Sequence, residues 1–273
     1  LTETIFITGI LGQDGAYLAR HVLGMGHRVV GGVRRSSTVN LWRLKELGID
    51  RDIEFIDFEL LEDSNVRYAL DRIAPSRLFN LAAQSFVSAS FSQPIFTCDI
   101  DALGVLRILE AIRHSKASTR FYQASSSEMF GLVQQSPQNE LTALHPRSPY
   151  GVAKVFGHYI TRNYREAHAI HASSGILFNH ESPLRGEEFV TRKITSTLSR
   201  IARGSDEVLE LGNLNARRDW GHAQDYVAGM WLMTDQKVAD DYVLATGQTT
   251  SIRQFVELVA AALDIPVEFQ GAG

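Results

Sequence analysis

The opening stretch Thr4-Ile5-Phe6-Ile7-Thr8 runs straight into Gly9-Ile10-Leu11-Gly12-Gln13-Asp14-Gly15 and then an apolar-periodic segment through Met25. A strand, a glycine turn and a helix in immediate succession leave few folds open. Gly9 permits the tight turn, Gly12 lets backbone N–H groups approach a pyrophosphate, and Gly15 allows close helix–strand packing with a phosphate at the helix N-terminus. Three turn glycines without a ligand would be the plainer reading, and the strand–turn–helix context weighs against it.

Strands and helices go on alternating, as in a doubly wound parallel sheet of the Rossmann-like α/β class. Strands are expected at His27 to Val33, Ile53 to Asp57, Arg77 to Leu81, Phe121 to Ala124 and Ala172 to Phe178. Helices are expected at Asp63 to Ile73, Pro94 to His114 and Ser148 to His168. After Phe178 the texture changes: Asn179 to Glu188 reads as a loop, Val190 to Arg203 as an amphipathic helix and Val208 to Leu211 as a short strand. Arg217-Arg218-Asp219-Trp220 leads back to the main domain, followed by helix Ala223 to Thr234, strand Tyr242 to Ala245, helix Ser251 to Leu263 and strand Val267 to Gln270. The division expected is a dinucleotide-binding domain at 1–178 and 217–247 and a smaller lobe at 179–216 and 248–273.

With 273 residues, 44% hydrophobic and 21% charged, the chain can bury one large core or a core plus a smaller lobe. A net charge of −4 gives no footprint for nucleic acid or an anionic membrane surface. The longest uncharged stretch, Leu81 to Cys98, carries Gln84, Gln93, Pro94 and several serines, so it does not read as a membrane span. No signal peptide is visible, and no metal is called for. Cys98 is the single cysteine, which excludes an internal disulfide and fits a buried thiol in a reducing cytoplasm.

The second strand ends in Arg34-Arg35-Ser36-Ser37, with no acid. An NAD site usually places Asp or Glu there to hold the ribose 2′-OH, whereas arginines accommodate a 2′-phosphate. NADP is therefore favoured, against the alternative of two solvated arginines on a surface loop.

Tyr150-Gly-Val-Ala-Lys154 speaks to the chemistry. Spacing i,i+4 puts both side chains on one helix face. An ammonium one turn away favours the phenolate of a group whose ordinary pKa is about 10, so Tyr150 can take an alcohol's proton while Lys154 reaches a cofactor ribose. Upstream lie Ser126 and Glu128. Oxidation or epimerisation of an alcohol needs only Tyr, Lys and a hydroxyl residue, whereas elimination of water needs one further acid/base. The residues alone leave two readings of Glu128 open, that extra group or a carboxylate favourable to a helix N-terminus.

With these elements in order the chain resembles the extended short-chain dehydrogenase/reductases. Thr8 through Gly15, Phe121-Tyr122-Gln123-Ala124-Ser125, Pro146-Arg147-Ser148-Pro149-Tyr150, Leu177-Phe178-Asn179-His180-Glu181-Ser182-Pro183, Val190-Thr191-Arg192-Lys193 and Arg218-Asp219-Trp220-Gly221 narrow the resemblance to the GDP-mannose 4,6-dehydratase family. The resemblance implies a substrate, GDP-mannose, and catalytic roles for Ser126, Glu128, Tyr150 and Lys154. Ser126, where the family usually has Thr, hydrogen-bonds the sugar 4-OH as Tyr150 removes its proton, and Glu128 then abstracts the C5 proton and protonates the departing 6-OH. Cofactor contacts are implied for Gly9, Leu11, Gly12, Gln13, Asp14, Gly15, Arg34, Arg35, Ser36, Glu59, Leu60, Leu81, Ala82, Ala83, Gln84, Tyr150, Lys154, His180 and Arg185. Ser85, Ser126, Glu128, Asn179, Lys193 and Arg218 are implied to hold the nucleotide sugar.

The chain departs from the family in places. Leu11 replaces the usual Thr of the glycine turn, and Phe58-Glu59 stands where Gly-Asp is normal, which bears on the adenine contact. The family continues past Gly273, so a smaller lobe cut short and a weakened hold on the sugar nucleotide are expected. A related GDP-sugar reductase or epimerase and a poorly active NADP-binding form are the competing readings. The resemblance also implies a homo-oligomer, tetramer or dimer.

Overall fold

The structure, a computed structural model, describes residues 2–271. The chain's end at Gly273, on which the expected truncation turns, lies outside the described residues.

The apolar run Thr4–Thr8 forms β1, whose Ile5, Phe6 and Ile7 are wholly buried. A parallel strand with neighbours on both edges and helices on both faces requires such a run. Next come α1 (Gln13–Gly24), β2 (Arg28–Val33), α2 (Trp42–Glu46), β3 (Glu54–Asp57), α3 (Asp63–Ile73), β4 (Arg77–Asn80), α4 (Val87–Ser92) and α5 (Pro94–Cys98). A π-helical turn, Asp99–Leu103, joins α5 to α6 (Gly104–His114). β5 (Arg120–Ser126), a 3₁₀ turn at Ser127–Met129, α7 (Pro149–His168) and β6 (Ala172–Leu177) complete the first stretch. β7 (Asn179–Glu181), α8 (Val190–Ile201), β8 (Arg217–His222), α9 (Ala223–Asp235), β9 (Asp241–Leu244), β10 (Thr249–Ser251) and α10 (Ile252–Ala262) follow.

Chain contacts divide these elements into two units, one running to Phe178 and again from Ala223 to Leu244, the other from Asn179 to His222 and from Ala245 onward. In the larger unit the sheet order is β3-β2-β1-β4-β5-β6-β9, all parallel. One face packs Phe6, Leu78 and Phe121 against Val66 and Leu70 of α3 and Ile108 and Ile112 of α6. On the other face Phe79 stacks on Trp231 of α9, and α9 lies beside α1. This is the doubly wound fold expected of the sequence.

The smaller unit has its own sheet, β10-β8-β7, and a core of Ile194 and Leu198 from α8 with Ile252 and Val256 from α10. Several expectations are corrected here. Asn179–Glu181 is a strand rather than loop, because it pairs with β8. Residues 217–222 belong with the smaller unit, since β8 is the central strand of that sheet, and the smaller unit resumes at Ala245 rather than at 248. Neither 208–211 nor 267–270 is a strand. Their apolar residues Leu209, Leu211, Val267 and Phe269 instead pack on the α8/α10 core as irregular chain, so alternation there marked burial without a pairing partner. In the larger unit α4 was not anticipated, its serines being poor helix formers, and Cys98 is only half-buried.

Candidate active site

In a doubly wound sheet ligands bind beyond the carboxyl ends of the strands where the order reverses. Here that is the gap between β1 and β4. Gly9 follows β1 with φ +65°, and a Cβ on it would lie 2.7 Å from the Leu81 carbonyl carbon, so both its conformation and the approach of the β4 turn require glycine. A Cβ on Gly15 would collide with the Gly9 carbonyl, which is how α1 sits so close under the turn. Thr8 clamps the same place: its hydroxyl donates to Asn80 Oδ1 at 2.8 Å and accepts from the Leu81 and Ala82 N–H groups at 3.1 Å each.

A cavity of about 420 Å³ opens there. Of the residues expected at a cofactor, Gly9, Leu11, Gly12, Arg34, Glu59, Leu60 and Leu81 to Gln84 line it, together with Ser85. Gln13, Asp14 and Gly15 lie in the first turn of α1 and are not in its wall. Arg35 and Ser36 stand on an exposed loop away from the wall. Phe58 packs edge-on to Phe6, 5.1 Å between ring centroids, and lines the cavity beside Glu59. Arg43 of α2 donates to the Leu11 carbonyl at 3.0 Å and so fastens the glycine turn from outside.

Tyr150 is placed by the start of α7. Ser148 caps that helix by accepting from the Gly151 N–H at 3.0 Å, and Pro149 follows at the first helical position. Gly151 lets the helix start abut the 3₁₀ turn, since a Cβ there would lie 2.9 Å from the Glu128 carbonyl. Ser126 accepts from the Glu128 N–H at 3.2 Å and shares a hydrogen bond with the Tyr150 phenol. Lys154 Nζ stands 5.6 Å from the Tyr150 ring centroid and donates to the Ala124 carbonyl at 3.1 Å. The four expected catalytic side chains are thus brought together at the end of β5.

Burial pushes the Tyr150 phenol above its ordinary value, and the Asp101 and Glu128 carboxylates add to this, while Lys154 and the Ser126 hydrogen bond pull down. Lys154 therefore acts in the expected direction without setting the net one; desolvation outweighs it.

Asn80, Gln123 and Asp101, to which the sequence assigned no catalytic role, complete the arrangement. Asn80, the last residue of β4, is not in the cavity wall and donates to Gln123 Oε1 at 2.9 Å, and Gln123 donates to the Ala124 carbonyl at 3.1 Å, the same oxygen that receives Lys154. Thr8, Asn80 and Gln123 form a buried polar chain across β1, β4 and β5 that ends on Lys154. Asp101, in the π-helical turn, is 1% exposed and accepts from the Gln84 N–H at 2.8 Å. A polar residue in mid-strand, such as Gln123, is the signal that would have found this chain; the π turn had none.

In the smaller unit Asn179 and His180 lie on β7, paired with Trp220 and Gly221. Arg185 pairs with Glu181 at 3.1 Å and lies 3.6 Å over the Phe189 ring. Lys193 donates to the Glu210 carbonyl at 2.7 Å, and Arg218, exposed on β8, donates to the Arg217 carbonyl at 2.8 Å.

The family model for GDP-mannose 4,6 dehydratase matches residues 6–273. The chain belongs to that family. The GDP-mannose 4,6-dehydratase of Vibrio cholerae serotype O1 is 50% identical over 99% of this chain and 74% of its own length. That of Sinorhizobium fredii is 51% identical over 99% of this chain and 79% of its own. Among solved structures, the UDP-glucose 4-epimerase of Thermotoga maritima has a TM-score of 0.86 at 22% identity, covering 97% of this chain and 84% of that one. A dTDP-glucose 4,6-dehydratase of Streptomyces venezuelae, solved with NAD, has 0.85 at 18%, covering 96% and 82%. At such identities the structures testify to the fold, and the sequence relatives make this a GDP-mannose 4,6-dehydratase family member. Among its described residues no helix is long and apolar enough to cross a membrane.

Proposed function

We propose that the chain removes water from GDP-mannose to give GDP-4-keto-6-deoxy-mannose, using NADP held along the β1/β4 cavity. One observation carries the reading: Glu128, whose N–H donates to Ser126 Oγ at 3.2 Å and whose carbonyl abuts Gly151 next to Tyr150, stands beside the phenol that Ser126 also bonds, so one acid/base more than alcohol oxidation needs is at hand. The glycine cradle that a Cβ would fill, beside a helix N-terminus, fits a pyrophosphate. Arg34 at the cavity, with Arg35 and Ser36 next to it in the chain and no acid among them, favours a 2′-phosphate. The chemistry the cofactor supplies when bound is reversible two-electron exchange with the sugar at C4 and C6.

Tyr150 takes the proton of the 4-OH, and Ser126 orients that hydroxyl. Lys154 holds its charge beside the phenol and stabilises the phenolate from which Tyr150 acts as base. Once C4 is a ketone the C5 proton is acidic; Glu128 takes it and returns a proton to the oxygen leaving C6. His180 and Arg185 are assigned to the cofactor, and Asn179, Lys193 and Arg218 to the nucleotide sugar, on the family pattern. Two cations suit a pyrophosphate.

We assign the work to the cytoplasm, on the lone Cys98, and to a homo-oligomer. Val152, Phe156 and Tyr159, at helical spacing on α7, are exposed at 52%, 39% and 49%, an apolar stripe that a second copy would cover; light scattering of the purified chain checks it. Incubation with GDP-mannose and NADP, followed by mass, tests the activity. Loss of water supports the dehydratase; a product of unchanged mass points to an epimerase.

A further inference from the structure

Among the described residues Asp101 is a deeply buried carboxylate that acts on Tyr150 and has no task in the reaction scheme. It stands in the π-helical turn Asp99–Leu103, where the helix carrying it widens by one residue; such turns recur at functional sites. α7 comes close to that turn through Gly157, on which a Cβ would lie 3.1 Å from the Asp101 carbonyl and 3.2 Å from Val105. One carboxylate oxygen accepts the Gln84 N–H at 2.8 Å, and Gln84 lines the cavity. The other, Oδ2, is buried with no hydrogen-bond partner. A carboxylate oxygen so placed is costly unless something nearby compensates it.

The compensating charge is Lys154. Its ammonium acts on Asp101 electrostatically although no ion pair within 4.0 Å joins them, and Asp101 in turn acts on Tyr150. The charge acting on Asp101 is that of Lys154 from α7; Asp101 in turn acts on Tyr150 of the same helix, as does Glu128 from the 3₁₀ turn, and on its own segment Asp99 is turned to Arg107 at 3.6 Å.

We propose that Asp101 is a positioning residue of the reaction centre: its carboxylate ties the Gln84 wall of the cavity to the π turn and serves as the buried counter-charge that holds the Lys154 ammonium behind Tyr150. Burial raises its carboxyl to about 6 even against Lys154, so the counter-charge is switched on through mildly acidic pH. Glu128, Lys154 and Tyr150 would then work with Asp101 ionised, and turnover falls as it gains a proton.

The inference rests on the dehydratase reading for its kinetic arm and stands apart from it in the other. In the ligand-free chain, carbon-13 NMR of the Asp101 carboxyl, assigned with Asp101→Asn, should titrate near pH 6 and shift upward in Lys154→Met. A titration that Lys154→Met does not move would overturn the proposal, whatever the substrate is. In the kinetic arm, with GDP-mannose and NADP, Asp101→Asn keeps an oxygen for Gln84 and loses the charge. It should lower kcat by about tenfold or more, as expected for a displaced catalytic group, flatten the acid limb of the kcat profile, and leave the NADP Kd within about threefold. Wild-type kcat and acid limb in that variant would overturn the proposal, as would a loss confined to NADP affinity and thermal stability. Wild-type protein that removes no water refutes the dehydratase reading alone, and the NMR arm then decides the positioning role.

Discussion

The proposed chemistry rests on single side chains whose replacement separates roles. Glu128→Gln keeps the shape and removes the acid/base, so the dehydration kcat should fall on the order of 10²- to 10⁴-fold with NADP affinity nearly unchanged; stopped-flow and equilibrium titration check the two halves. Arg35 tests the cofactor preference. A guanidinium on a phosphate gives a charge-assisted bond of about 1.5–3 kcal/mol, so Arg35→Ala should erase a roughly ten- to hundredfold preference for NADP over NAD in fluorescence titrations. Arg35 stands on an exposed loop outside the cavity wall, and equal loss of both cofactors, or of neither, would move the preference to Arg34. Gly9→Ala meets both a φ of +65° and the Leu81 backbone. It should cost more than about 1 kcal/mol in urea unfolding and abolish dinucleotide binding. Gly12, with φ negative and more room, should tolerate alanine better in stability than in binding.

Elements place those side chains, and their ends matter most. Ser148 and Pro149 start α7 just before Tyr150, so Ser148→Ala should cost about 1 kcal/mol of stability and also loosen Tyr150, visible as a kcat loss larger than a cap on a remote helix gives. Ser251 of α10 is the control, having a complete capping box with Gln254 and no part in the site. The π turn carries a pH signature. Asp101 binds its proton more tightly folded than unfolded, being raised to about 6. Its contribution is therefore fully present below the unfolded carboxyl value and is lost as pH rises through about 6. The loss is on the order of 3 kcal/mol. Asp101→Asn should remove that slope and melt higher than wild type at pH 8, measured by calorimetry, while turning over more slowly. Stability given up for a charged site is a common trade.

Across the whole molecule the two units have separate cores, which makes their contributions separable. Ile194→Ala opens the α8/α10 core and should cost about 2–5 kcal/mol in the smaller unit. GDP-mannose affinity should fall more than NADP affinity does, since the larger unit carries the glycine turn and of the smaller one only His180 and Arg185 are assigned to the cofactor; calorimetric titration of each ligand checks it. The strand–glycine–helix opening, the Tyr150/Lys154 spacing and the alternation of elements were legible in sequence because each is a local pattern, set by a backbone conformation or by the repeat of a helix or strand. What stayed hidden depends on partners far along the chain. β8 has the look of a returning connection until β7 and β10 pair with it, and Leu209 or Phe269 alternate like strand residues with no strand to meet. By itself the sequence determined the larger fold and the family, and it named the side chains to which the chemistry is proposed to belong. Tertiary structure decided that Asn80 ends in a buried chain from Thr8 to Lys154, that desolvation outweighs Lys154 at the Tyr150 phenol, and that Asp101 sits buried behind them. Burial and field are sums over neighbours that only folding brings near.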